Sequence, residues 1–245
     1  NFSLIIFALA YRAAVSIFSS DYWFAVNGFI GLGIFLVLGN LFYYSRVFAG
    51  GDAKLLIALG TILPLSSEWL TNFQIFGWFI FFLLLGGGIY VFIWACILAF
   101  LNRKRFFSKF GKQRRRYKHL FFVSFILFII WIVFLFVFGQ EQFALSGLLI
   151  LLIPLLFVFA KSVEESSMIK SVSPSDVTEG DWLYEDIFIG GEKIKSTWDG
   201  VSKKELELIR KKCRKKVLIR QGIPFTPGFL FGLLGVIIAL RQGLV

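Results

Sequence analysis

Gly50-Gly51-Asp52-Ala53-Lys54 sets one carboxylate behind two glycines and directly ahead of an apolar run, 55–64. A charged group at a membrane boundary is costly to keep, so an acid there is a candidate functional residue. Partial desolvation raises a carboxyl pKa, which suits proton transfer near neutral pH. Glycine lets a second backbone approach closely. The combination suits peptide-bond chemistry at a membrane face. A second role fits the same acid, because a carboxylate in the first turn of a helix is favoured by the helix dipole and can simply cap it. The flanking glycines, which a cap does not need, tip the balance toward chemistry.

Other reactive residues are sparse. Cys96 and Cys213 form no paired motif, and with His119 as the single histidine there is no metal-ligand spacing, so neither a metal nor another cofactor is expected. Asp21 is the only acid before Asp52. It falls in the turn at the opposite end of an apolar segment, 22–44, which puts the two carboxylates roughly 30 Å apart, too far to share a proton. Asp176, Asp181 and Asp186 read as solvated turn and strand-edge charges, with attraction of a basic peptide as the alternative. Gly28, Gly31 and Gly33, and the run Gly86-Gly87-Gly88, mark close helix contacts; a hinge at 86–88 is the alternative.

The elements that hold these residues are written in the composition. The 245 residues are 58% hydrophobic, with 32 Phe and 7 Trp, and a mean hydropathy of +0.79. One soluble core does not hide that many apolar runs of membrane-crossing length. Seven are read: 3–19, 22–44, 53–65, 73–101, 119–138, 143–160 and 224–244, the third short enough to be tilted or partly buried. The net charge of +11 does not point to nucleic acid, because nine of the 26 basic residues crowd into one connection, 103–118, read as a loop. Cations clustered beside spans follow the positive-inside rule and suit anionic lipid headgroups. With that loop cytoplasmic, alternation places Asn1, the 45–52 connection and 161–223 on the same side. The opposite connections hold Asp21, Glu68 and Glu141 but no Lys or Arg. Arg12 and Arg241 run against this pattern and are expected to snorkel to the interface.

The one sizeable polar region is 161–223. Residues 182–189 read as a strand, Gly190-Gly191 as a tight turn and 192–198 as the partner strand. Ser202 and Glu205 form a capping box opening a helix to about Arg214, and Val217-Leu218-Ile219 adds a strand. The expected fold is mainly α: a polytopic transmembrane helical bundle with a small α+β cytoplasmic insertion before the last span. Residues 1–160 form the membrane domain carrying Asp52, 161–223 the cytoplasmic segment and 224–245 the final span.

Phe48-Ala49-Gly50-Gly51-Asp52-Ala53-Lys54-Leu55-Leu56 resembles the GxGD segment of type IV prepilin peptidases. Glu179-Gly180-Asp181-Trp182-Leu183 and Gly222-Ile223-Pro224-Phe225-Thr226-Pro227-Gly228-Phe229-Leu230 resemble the cytoplasmic and final-span segments of the archaeal branch, which includes the preflagellin peptidases. The likeness covers nearly the whole chain. It departs at Ala49, where the motif's first glycine would stand, and in the family's first catalytic Asp, which is expected on one further span upstream of Asn1.

The resemblance implies a membrane aspartic endopeptidase that cleaves basic leader peptides from pilin-like or archaellin precursors at the cytoplasmic face, without metal. Asp52 would be the second acid of the pair. Gly50 and Gly51 would let an extended substrate approach, and Lys54 would be a catalytic helper or a plain interfacial lysine. The paired-cysteine segment of the N-methylating bacterial members is absent. Two rivals remain at this stage: an inactive relative that binds pilin-like helices, and a solute transporter using Asp52 and Arg12 as pathway charges.

Overall fold

The computed structural model describes residues 2–189, 191–213 and 215–244. Asn1, Gly190 and Arg214, invoked above for sidedness, a turn and a helix end, lie outside them. The chain is mainly helical and divides into two compact units, Asn1–Phe92 with Pro224–Val245, and Ile93–Ile223. Among the described residues, five helices are long and apolar enough to cross a membrane.

The first unit holds α1 (Phe2–Ser19), α2 (Tyr22–Tyr44), α3 (Gly50–Leu59), residues 69–92 of α4 (Trp69–Leu101), and α9 (Thr226–Arg241). Asp21 caps α2, its carboxylate accepting from the Trp23 N–H at 3.1 Å. The third apolar segment, read as 53–65, is shorter than expected. Its helix has ten residues, about 15 Å of rise, half a hydrocarbon core. Glycine explains where it stops. A side chain on Gly60 would run into Phe35 and the Gly31 carbonyl, and one on Gly31 into the Gly60 carbonyl and Pro64. The two backbones therefore cross in contact, and irregular chain follows to Pro64.

The core of this unit is Phe35, Phe48, Leu56, Leu59, Ile75, Phe79, Leu83 and Phe229, with Val236 below. Helices α4 and α9 lock by setting rings into glycines. Phe79 covers Gly232, Phe82 covers Gly235, Phe231 covers Gly86, and Phe225 sits against Gly87 and Gly228. Gly86 and Gly87 are thus packing seats, as is Gly28 against Arg12, whereas Gly33 and Gly88 face open space.

The second unit starts with residues 93–101 of α4 and continues through α5 (Arg103–Arg116), α6 (Lys118–Val137) and α7 (Gly147–Val163). The basic connection 103–118 is a helix, not a loop. Phe106 and Gln113 are buried, with Phe110 between them packed on the cluster of Ala95, Ala99, Phe106 and Val163. That spacing gives an inward stripe under a cationic surface. Helix α6 carries exposed Phe122, Phe125, Ile126, Ile129, Ile130 and Val133; a continuous apolar surface of this kind suits lipid.

A small α+β region completes the unit. Strand β5 (Val217–Arg220) lies between β1 (Ile169–Val172) and β2 (Trp182–Leu183), antiparallel to both. Strands β3 (Ile187–Ile189) and β4 (Glu192–Ile194) form a separate hairpin, Ile189 opposite Glu192. The strand read as 182–189 is therefore two pieces. The break falls at Asp186, which leaves the line of the strand to accept from the Ser196 N–H at 2.8 Å and to pair with Lys193 at 2.8 Å. Strand β1 was not foreseen. The Ser202–Glu205 capping box is present and opens α8 (Lys203–Lys212). Val177, Leu183, Ile189, Ile194, Val201, Ile209, Val217 and Ile219 form this region's core.

Candidate functional site

Asp52 sits at the third position of α3, and its surroundings follow from the five residues before it. After α2, Arg46 takes a left-handed conformation at φ 61. The Val47 and Phe48 N–H groups return to the Phe42 carbonyl at 2.9 and 3.1 Å. This turn drives Phe48 completely inside, where its ring meets Phe225 at 4.9 Å and Phe229 at 5.9 Å. The head of α3 is thereby fixed against the head of α9. Thr226, the first residue of α9, directs its hydroxyl toward the Asp52 carboxylate at 3.5 Å, a weak bond across 174 positions of sequence. The two segments noted above for their resemblance, around Asp52 and around Thr226, thus come together.

Asp52 is half-buried. Burial pushes its carboxyl above the ordinary value; the Thr226 hydroxyl and the Ala49 N–H act against that rise by favouring the anion. The Ala49 contact is half of a capping box, an N3 acid reaching back to the N-cap backbone. Capping is therefore part of what Asp52 does. It does not account for the glycines. Gly51 is exposed, and a Cβ there would meet nothing within 4 Å; one on Gly50 would make ordinary contact with Tyr43 at 3.7 Å. Neither glycine is required by packing inside the chain, so the surface beside the carboxylate is open to something else. Lys54 is exposed and two positions from Asp52, a spacing that does not face one helical residue to another.

The other candidates have settled local roles. Asp21, besides capping α2, accepts from the Ser67 hydroxyl. The 23 residues of α2 separate it from Asp52 by about 35 Å. Asp181 closes a turn, its carboxylate accepting from the Thr178 N–H at 2.7 Å. Lys193 and the Ser196 N–H hold the exposed Asp186 below the usual carboxylate range. Asp176 accepts from the Ser175 hydroxyl at 3.1 Å.

Arg12 corrects the sequence reading outright. It does not snorkel: only 3% of it is exposed. Its guanidinium donates to the carbonyls of Thr61 at 2.6 Å, Phe24 at 2.8 Å, Ile62 at 3.1 Å and Pro64, and lies over the Phe24 ring at 4.4 Å. A cation against carbonyls just beyond a helix C-terminus is favourable. Arg12 is thus the clamp on the far end of α3, consumed by structure. Arg241 is exposed in the last turn of α9.

Thr226 is the residue that sequence reasoning missed. Its segment was noted, but no spacing signals a partner so far along the chain. Chemically, the site offers a half-buried carboxyl of raised pKa, a hydroxyl behind it and uncovered backbone beside it. No group of three or more His, Cys, Asp or Glu side chains placed to hold a metal occurs among the described residues. Comparison with protein families, with curated proteins and with solved structures found no match to the chain.

Proposed function

We propose that the chain is a membrane aspartic endopeptidase that cleaves the basic leader peptide of type IV pilin-like or archaellin precursors at the cytoplasmic membrane face. The observation that carries the proposal is the convergence of Asp52 and Thr226 beside glycines that packing does not require. Burial that raises the Asp52 carboxyl is what a member of a proton-sharing acid pair needs.

In the proposed reaction one carboxylate, ionised, takes a proton from water as its oxygen attacks the scissile carbonyl. The other, neutral, hydrogen-bonds and then protonates the carbonyl oxygen. The tetrahedral intermediate collapses when the first acid gives its proton to the leaving amine and the second, now ionised, takes one back from a hydroxyl as the carbonyl re-forms and the C–N bond breaks. Asp52 is one acid of this pair. Asp21 is not the other, since the length of α2 stands between them. Gly50 and Gly51 supply the surface along which an extended substrate lies.

The test is a membrane processing assay on the full-length protein carrying Asp52→Asn. Cleavage of a pilin-like precursor should fall to background while the variant still folds. Undiminished cleavage removes Asp52 from the chemistry.

A further inference from the structure

In the second unit, Arg114, Arg115 and Lys118 line a cavity of about 760 Å³ together with Gly111 and Phe121. The spacing of 111, 114, 115 and 118 puts them on one face of the path from α5 into α6. Gly111 leaves the floor uncovered, since a Cβ there would meet nothing within 4 Å. Three cations facing one concavity repel each other, and none of them is in an ion pair among the described residues. The nearby acids are taken elsewhere: Glu165 by Lys109 at 3.2 Å and by the Gln113 amide at 2.5 Å, and Glu164 by Lys161 at 2.8 Å and Arg220 at 3.1 Å. The cavity is therefore left with a net positive charge that an anion complements.

Its position says which anion. Lys118 is the first residue of the most apolar candidate span, mean hydropathy 3.2, so the cavity stands where that helix meets the headgroup layer. Phe121, one turn inside the span, gives it an apolar wall on the hydrocarbon side. A free phosphate has no use for that wall. A phospholipid presents a phosphate and, a few ångströms deeper, the start of its acyl chains. We propose that this cavity binds the phosphate of an anionic lipid headgroup through Arg114, Arg115 and Lys118, with Phe121 against the lipid's apolar stem.

The test is native mass spectrometry of the full chain in detergent, titrated with phosphatidylglycerol or phosphatidylcholine. The wild type should retain phosphatidylglycerol preferentially. At about fivefold per cation, R114Q/R115Q/K118Q should weaken that retention on the order of 100-fold. Because R103Q/K104Q/R105Q removes the same charge from equally exposed positions of α5 that do not line the cavity, it should change retention only a few-fold. Three results would overturn the proposal. They are unchanged retention in the first variant, equal losses in both variants, which marks a diffuse field, and displacement of the lipid by millimolar inorganic phosphate, which marks a soluble ligand.

Discussion

Replacing Gly51 by alanine separates a glycine kept for a partner from one kept for the fold. The backbone at Gly51 is helical with no positive φ, and the added methyl meets nothing within 4 Å. Alanine at such a position stabilises by roughly 0.4–1 kcal/mol, mostly by restricting the unfolded chain, and toward the lower end here because Gly51 lies in the first turn. If an extended substrate lies over this surface, the same methyl intrudes on it. Intrusions of one carbon into a close contact cost roughly 1–3 kcal/mol, which is roughly 5- to 150-fold in kcat/KM. Gly51→Ala should therefore be as stable as the wild type or slightly more so, and slower at processing. The measurements are thermal unfolding of the purified full-length protein in detergent and the rate of precursor cleavage. Gly31→Ala is the control for a fold-bound glycine. Its methyl would press on the Gly60 carbonyl and on Pro64 Cγ at 2.8 Å, so it should lose about 1–3 kcal/mol of stability and process in proportion to the folded fraction. Wild-type cleavage by a well-folded Gly51→Ala protein would refute the idea that substrate passes here. A destabilised Gly51→Ala protein would refute the open geometry itself.

Thr226→Val removes a hydroxyl that favours the Asp52 anion, so the limb of the pH–rate profile belonging to Asp52 should move to higher pH and return with Thr226→Ser. Asp52→Asn should change stability in a pH-dependent way. A carboxyl raised in the folded state binds more protons there than when unfolded, so wild-type stability falls as pH rises through that window. The Asn variant escapes this loss and should gain relative stability above the window and none in acid, as read from unfolding midpoints across pH. Arg12→Gln leaves carbonyls at Thr61, Ile62, Pro64 and Phe24 short of donors. It should cost about 3 kcal/mol or more in unfolding experiments, and Arg12→Lys should not rescue it, because an ammonium lacks the planar fork.

Much of the fold was legible because its signals are local. Helix α2 begins and ends at the residues read from sequence, since Asp21 is a side-chain cap and everything to Tyr44 except Asn27 and Asn40 is apolar or aromatic. The Ser202–Glu205 box and the strand at Val217 were read for the same kind of reason. The failures have a common cause. The stretch from Arg103 was read as a loop because nine cations hid the stripe of Phe106, Phe110 and Gln113. Helix α3 was read too long because what ends it is the backbone of another helix, met at Gly31. Arg12 was misread because its partners lie up to 52 positions away. At the candidate site, Asp52 and its glycines stood out by residue type, whereas Thr226, 174 positions distant, did not.

The Arg12 clamp leaves a mark that can be sought in relatives of this chain. Every one of its bonds goes to a main-chain carbonyl, so the side chains at positions 61, 62 and 64 are free to drift without loosening it. Gly28 is not free, because its missing side chain is the space the arginine occupies, with Arg12 Cδ 2.5 Å from where a Cβ would stand. Positions 12 and 28 should therefore change together over evolutionary time, a large residue arriving at 28 only in lineages that have lost the arginine.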